Sequence, residues 1–279
     1  MAAPSRSVVV LGSLNLDILA SVERLPGAGE TIAAHSLVRR FGGKGANQAL
    51  AARKQGARVT MIGCVGDDAE GAAYRARFDD MGINMSHVRS LAKEPTGTAL
   101  IAVDSNAENL IVVAAGANGC VTPRMIRMAE PAIEKAAVFL AQLEVPVPAV
   151  VAAMKVANRA DVPVVFNPSP FRKDFPWREV RIEHLIVNEI EARQLFRKSV
   201  GDLARSPRKW QAAVKRRGIG NLIVTRGSAS TLVVSAGDVH EVPSFRVNAV
   251  DTVGAGDAFA GAVSAHLARR SSVLDAVRL

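Results

Sequence analysis

Four short stretches bring together side chains that could do chemistry. The first is Asp251-Thr-Val-Gly-Ala-Gly-Asp257, leading into an apolar helical run over residues 258–267. Backbone N–H groups at such a helix start carry the positive end of the dipole, and glycines let an anion approach them closely. Asp257 stands where the helix begins, either as a base beside that anion or as an N-terminal cap; taken alone, the cap is the stronger reading. The second is Phe41-Gly-Gly-Lys-Gly-Ala-Asn47-Gln, which again places glycines and free donors ahead of a helix. It is not a Walker loop, because Gly45 follows Lys44 where Ser or Thr is required. A tight strand-to-helix turn explains the glycines but not the pairing of Lys44 with Asn47.

The third stretch is Gly12-Ser-Leu-Asn15-Leu-Asp17, directly after a first apolar run. Asn15 and Asp17 alternate, so on an extended chain they share a face and could grip adjacent hydroxyls of a polyol. Ordinary turn chemistry is the competing explanation. The fourth is Asn188-Glu-Ile-Glu191, which follows another apolar run. Carboxylates at the carboxyl end of a strand sit where open α/β sheets bind ligands, and could hold Mg²⁺ through water. Helix capping by Asn188 competes there.

The elements that must position these groups follow an α/β rhythm. Short β-branched runs at 7–11, 58–65, 137–143, 162–166, 184–187 and 221–225 read as strands of a parallel sheet. Helices are predicted at 45–54, 70–80, 147–159, 189–196 and 207–217, the first two ended by Gly56 and Gly82. Residues 15–41 and 97–114 break the rhythm with alternating runs and no helical pattern. They are expected to form a small antiparallel sheet, a lid beside an α/β body made of 1–14, 42–96 and 115–279.

Composition narrows the classes. The chain has 279 residues and a formal charge of +9, but its basic residues are dispersed and aromatics are only 4%, so no nucleic-acid stripe is visible. Mean hydropathy is +0.16. No run approaches the roughly 18 to 20 apolar residues of a membrane span, and no signal-peptide pattern opens the chain. Cys64 and Cys120, far apart in sequence, fit reduced thiols and a cytoplasmic location.

Taken together the motifs say more than any one of them. The four stretches, with Val65-Gly-Asp-Asp68, Thr96-Gly-Thr-Ala99, Ala115-Gly-Ala-Asn118, Leu143-Glu144, Asn167-Pro-Ser-Pro170 and Thr225-Arg-Gly-Ser228, occur in the order of a known family. Over nearly its whole length the chain resembles the ribokinase family of carbohydrate kinases. That resemblance implies a three-layer α/β/α sandwich with a mostly parallel sheet and a β lid. It also implies transfer of a phosphoryl group from ATP to the 5-hydroxyl of D-ribose, giving ribose 5-phosphate and ADP.

The resemblance assigns roles position by position. Asp257 would be the general base, and Gly254, Ala255 and Gly256 the anion hole. Asn15, Asp17, Gly43, Lys44, Asn47 and Glu144 would hold the sugar. Asn188 and Glu191 would serve the phosphates and Mg²⁺, while Thr225, Arg226, Gly227 and Ser228 would lie along the nucleotide. Asp251 and the Val253 carbonyl would contribute to a potassium site, and a homodimer through the lid is expected. In the family the helix opening at Ser271 continues into segments that wall the adenine and complete the potassium site. Here residue 279 is the last, so weak ATP affinity and a poor potassium response are expected. Alternatives are a related sugar or nucleoside kinase of the family, or a catalytically impaired sugar-binding protein. With one Tyr and two Trp, Trp177 and Trp210, both away from the sugar motifs, a nucleoside is the weaker substrate expectation.

Overall fold

The computed structural model describes residues 7–106, 108–203, 206–249 and 252–278. The chain starts on β1 (Ser7–Leu11), forms β2 (Asn15–Ser21) and β3 (Ser36–Gly42), then runs through helix α1 (Lys44–Lys54) to β4 (Arg58–Gly66). Helix α2 (Ala69–Asp80) and β5 (Ile83–Leu91) precede β6 (Gly97–Val103) and β7 (Asn109–Ala114). A 3₁₀ turn (Gly116–Cys120) leads to α3 (Pro123–Glu134), β8 (Val138–Ala141), α4 (Val147–Arg159) and β9 (Val164–Phe166). Then come β10 (Ile182–Asn188), α5 (Glu189–Phe196), α6 (Pro207–Lys215), β11 (Ile219–Thr225), β12 (Thr231–Val234) and β13 (Val239–Val242). Helices α7 (Ala255–Leu267) and α8 (Val273–Val277) close the described chain.

The large sheet runs β13-β12-β11-β10-β9-β8-β1-β4-β5. The seven strands from β11 to β5 are parallel, and β12 and β13 add on antiparallel. Alternation along each strand sends its side chains to two separate cores. Val9, Leu11 and Phe139 pack with α3, α4, α5 and α6 on one face. Val8, Val10 and Leu140 pack with α1, α2 and α7 on the other. This is the expected three-layer sandwich. Gly56 and Gly82 adopt φ of +80° and +68°, the left-handed geometry that ends α1 and α2.

Sequence pattern under-counted the elements. Strand β5 alternates buried and exposed residues, and α3 was hidden behind its Pro123, although Thr122 caps it and proline suits a first helical position. The C-terminal helix covers five residues only.

The second sheet is ordered β3-β2-β6-β7. Its central pair, β2 with β6, is parallel, and only the flanking pairs are antiparallel, which corrects the expectation of an all-antiparallel lid. The reason is geometric: the chain leaves the body twice, at Asn15 and at Gly97, which lie side by side in register. Two strands leaving together must run the same way, and each then folds back on its outer side. Asp68 fixes this departure point, capping α2 at Gly71 N (2.8 Å) while accepting from Thr96 N (2.7 Å). Phe41 of β3 packs edge-on against Tyr74 of α2, and Arg39 pairs with Glu70 at 2.7 Å.

Candidate active site

The predicted base lies in the first turn of α7. Gly254 takes φ +78° as the residue before that helix, and Ala255 N reaches Thr252 O at 3.2 Å. The Gly256 N–H has no acceptor among the described residues. Asp257 is buried, and both its oxygens are met by amides of α1: Asn47 Nδ2 donates to Oδ2 at 3.3 Å and Gln48 Nε2 to Oδ1 at 2.9 Å. The two helices touch backbone to backbone, since a Cβ on Gly261 would stand 2.3 Å from Gln48 O. Glycine at 261 is what lets α1 deliver two amides to one carboxylate.

The start of α1 differs from its sequence reading. Its early donors are not exposed: Lys44 N donates to Glu144 Oε2 (3.0 Å), Gly45 N to Ser13 Oγ (3.3 Å) and Ala46 N to Ser13 O (2.9 Å). Gly43 before it has φ +89°, and Gly45 packs so closely that a Cβ would lie 2.6 Å from Ser13 N. The glycines therefore serve packing between α1 and the loop after β1.

The polyol candidates sit at the root of β2. Asn118 is held to Leu14 through both its oxygen and its nitrogen, and donates to Asn15 Oδ1 at 2.7 Å. The Tyr74 hydroxyl bridges the carbonyls of Asn15 (3.1 Å) and Gly42. Asp17 is pushed up to about 6, first by loss of solvent and then by the charges of Glu144 and Asp257. Asp17 therefore feels the charges of two carboxylates singled out from other motifs, and Asn47 meets one of them, Asp257, at 3.3 Å. Gly42 makes room for Asp17, since a Cβ there would overlap its carboxylate.

Two cavities that share Thr225 and Gly256 in their walls lie beside the start of α7. One of about 130 Å³ is lined by Lys44, Asn188, Glu191, Thr225, Gly256 and Asp257. The next, about 270 Å³, is lined by Thr225, Gly227, Ala255, Gly256, Phe245 and Phe259. Asn188 and Glu191 do form the cap anticipated as the competing reading: Asn188 Oδ1 accepts from Glu191 N (2.8 Å) and Glu191 Oε2 from Asn188 N (3.0 Å). Capping and lining the cavity are compatible, because the cap places the Glu191 carboxylate at the sheet's carboxyl end. Among the described residues no group of three or more His, Cys, Asp or Glu is placed to hold a metal ion.

Not every predicted nucleotide residue is in this cleft. The Arg226 side chain donates to Ser230 O at 2.7 Å and pairs with Glu241 at 2.6 Å, lining a different cavity. Ser228 is exposed on the turn after β11, and Val253 is exposed before α7. Asp251 lies outside the described residues. Sequence reasoning gave no role to Ser13, Gln48, Asn118, Gln142 or Asn167, all of them buried polar residues within or beside quoted motifs. Polar side chains flanked by glycine and apolar residues were the available signal.

Residues 5–279 match the family described as pfkB family carbohydrate kinase. The chain is 34% identical to a ribokinase of Haemophilus influenzae over 98% of its own length and 89% of the relative's. It is 32% identical to a deoxyribokinase of Salmonella typhi, covering 97% and 89% respectively. Among solved structures, an Arabidopsis thaliana ribokinase complexed with ribose and ATP superposes with a TM-score of 0.85, at 30% identity, over 100% of this chain and 90% of that one.

Proposed function

Because the chain belongs to the pfkB family of carbohydrate kinases, we propose that it transfers the γ-phosphoryl group of ATP to the 5-hydroxyl of D-ribose, yielding ribose 5-phosphate and ADP. The observation that carries this reading is Asp257 in the first turn of α7, electrostatically coupled to Asp17 and next to a Gly256 N–H that is unmatched among the described residues. Asp257 takes the hydroxyl proton as the oxygen attacks phosphorus, and ADP leaves. Charge on the transferring group is met by N–H groups at the helix start, already oriented before reaction. Asn15, Asp17, Asn47 and Glu144 position the sugar, with Gly43 and Lys44 forming the adjoining wall. Thr225 and Gly227 line the nucleotide's path.

The residues present suit Mg²⁺ carried with ATP: Glu191 has one oxygen engaged in its cap and lines the phosphate-sized cavity with Asn188. Bound there, the ion would neutralise phosphate charge. A potassium site through the Val253 carbonyl and Asp251 belongs to the same proposal, read by ADP release in potassium against sodium. We also assign a homodimer through the second sheet, where Leu100, Ile111, Val112 and Val113 are each at least half exposed; sedimentation tests it. A cytoplasmic location fits the two free thiols, and among the described residues no helix is long and apolar enough to cross a membrane.

The deciding experiment is coupled ADP release with ribose, 2-deoxyribose, fructose and a nucleoside. Highest kcat/KM for ribose is expected. The Salmonella relative makes 2-deoxyribose the specific rival, and a preference for it, or no sugar-dependent ADP, would overturn the ribose assignment.

A further inference from the structure

A chain of buried amides runs behind the proposed base. Gln48 Nε2 donates to Asp257 Oδ1 (2.9 Å) and to Asn167 Oδ1 (3.2 Å). Gln142 Nε2 donates to Gln48 Oε1 at 2.7 Å, and Asn167 Nδ2 donates to Ile186 O at 3.0 Å. Gln48 and Gln142 are wholly buried. We propose that Gln48 is a positioning residue for Asp257, held in its working orientation by Gln142 and Asn167; the inference rests on the kinase reading above.

The direction of every amide follows from chemistry. An ionised carboxylate only accepts, so Gln48 must turn its NH₂ toward Asp257. A backbone carbonyl also only accepts, so Ile186 O turns the Asn167 NH₂ away and leaves Oδ1 facing Gln48. Both neighbours therefore demand the same Gln48 orientation, which sends Gln48 Oε1 toward Gln142. Gln142 must then donate, and its own buried Oε1 is left with no partner among the described residues. A buried acceptor without a donor is a cost that a structural role alone does not explain, since an apolar side chain would fill the space more stably. Gly12 belongs to the device, because a Cβ there would stand 2.0 Å from Gln142 Oε1.

The functional consequence is an asymmetric carboxylate. Oδ1 is fixed from within the protein by a donor that cannot rotate, while Oδ2 has the longer contact with Asn47 at 3.3 Å. Oδ2 is thereby the oxygen offered to the sugar hydroxyl.

The test uses Gln48→Met, Gln142→Met and the double variant in the full chain. Loss of the donor to a charged group should lower kcat of Gln48→Met by about 10- to 100-fold, with KM for sugar changed less than about threefold, since the effect falls on proton removal rather than on binding. Gln142→Met should lose less, and the double variant no more than Gln48→Met, because Gln142 acts only through Gln48. Melting temperature should fall furthest in Gln48→Met, which leaves Gln142 Nε2 and Asn167 Oδ1 unpaired, and recover in part in the double variant, where kcat stays low. Additive losses, an unchanged kcat in Gln48→Met, or losses that track melting temperature would overturn the relay. Side-chain amide signals in ¹H–¹⁵N spectra of the sugar-free protein give an independent reading. Slow exchange of the Gln48 NH₂ should be lost in Gln142→Met, and its persistence there counts against the relay. If the unmodified chain phosphorylates no sugar, the kinase reading fails and these spectra decide the relay on their own.

Discussion

Helices α1 and α7 both begin after a glycine of positive φ, Gly43 at 89° and Gly254 at 78°, yet their first N–H groups meet different partners. At α1 the donors of Lys44, Gly45 and Ala46 are all satisfied by Glu144 and Ser13. At α7, among the described residues, Ala255 N reaches Thr252 O while Gly256, which lines both cavities, has its N–H unmatched. The glycines of α1 permit close packing, whereas a Cβ on Gly256 of α7 would meet nothing within 4 Å. A glycine-rich helix start is thus an anion site only when the rest of the protein leaves its donors unused.

The sharpest attempt to break this contrast is at the open helix. Asp257→Asn should lower kcat by roughly 10² to 10⁴, the usual cost of losing a general base, while ribose binding by calorimetry is nearly unchanged. Activity within a few-fold of the unmodified enzyme would remove Asp257 as the base.

Next in size is the carboxylate coupled to both Glu144 and Asp257. Asp17→Ala should weaken ribose binding by roughly 2–5 kcal/mol, because buried partners lose a charged acceptor. ATP affinity should hold. Equal loss of both ligands would show damage to the fold rather than to the sugar site.

Two alanine substitutions then set the helix starts directly against each other. Gly45→Ala forces a Cβ to within 2.6 Å of Gly12 and Ser13 backbone, and should cost roughly 1–3 kcal/mol of stability. A Cβ on Gly256 meets nothing within 4 Å. Gly256→Ala should keep its melting temperature while raising KM for ATP or lowering kcat. The same stability loss at both sites would erase the distinction.

The smallest effect is one of pH. Asp17 titrates near 6 in the folded protein against 3.8 for the free side chain, so the folded state binds more protons between those values. Ionised Asp17 therefore opposes folding, and stability from this group rises as pH falls from about 6 toward 4. Asp17→Asn should melt a few degrees higher than the unmodified chain at pH 7.5, a gap that narrows on acidification to pH 4. Ribose affinity of the unmodified chain should fall below about pH 6. A gap that widens in acid would contradict the crowding of Asp17 with Glu144 and Asp257.

Some opposing physics lies at the far end of the sheet. His184 on β10 is buried and pushed down to about 4 by loss of solvent, with Asn221 Nδ2 beside its Nδ1 at 3.3 Å. It stabilises the fold when neutral and loses that contribution as pH falls from about 6.5 toward 4. The two titrations run in opposite senses, so the Asp17→Asn comparison, which leaves His184 in place, isolates the carboxylate.

The sequence by itself determined the alternation of strands and helices, because a period of two or 3.6 is written into neighbouring residues. The capping of α5 by Asn188 and the glycine stops of α1 and α2 were legible for the same reason, being local events. Asp257 and Asn47 stood out through motifs of unusual composition, and the fold brings the two within 3.3 Å. Only the tertiary structure decided which glycine loop keeps its donors free, because those of α1 are answered by Ser13 and by Glu144, the latter 100 residues beyond Lys44. The parallel pairing of β2 with β6 and the turning away of Arg226 toward Glu241 were likewise settled by distant partners. The chain fixes which groups it carries; whether a donor or a charge is left for a ligand depends on what the fold brings against it, since a satisfied hydrogen bond leaves nothing to offer.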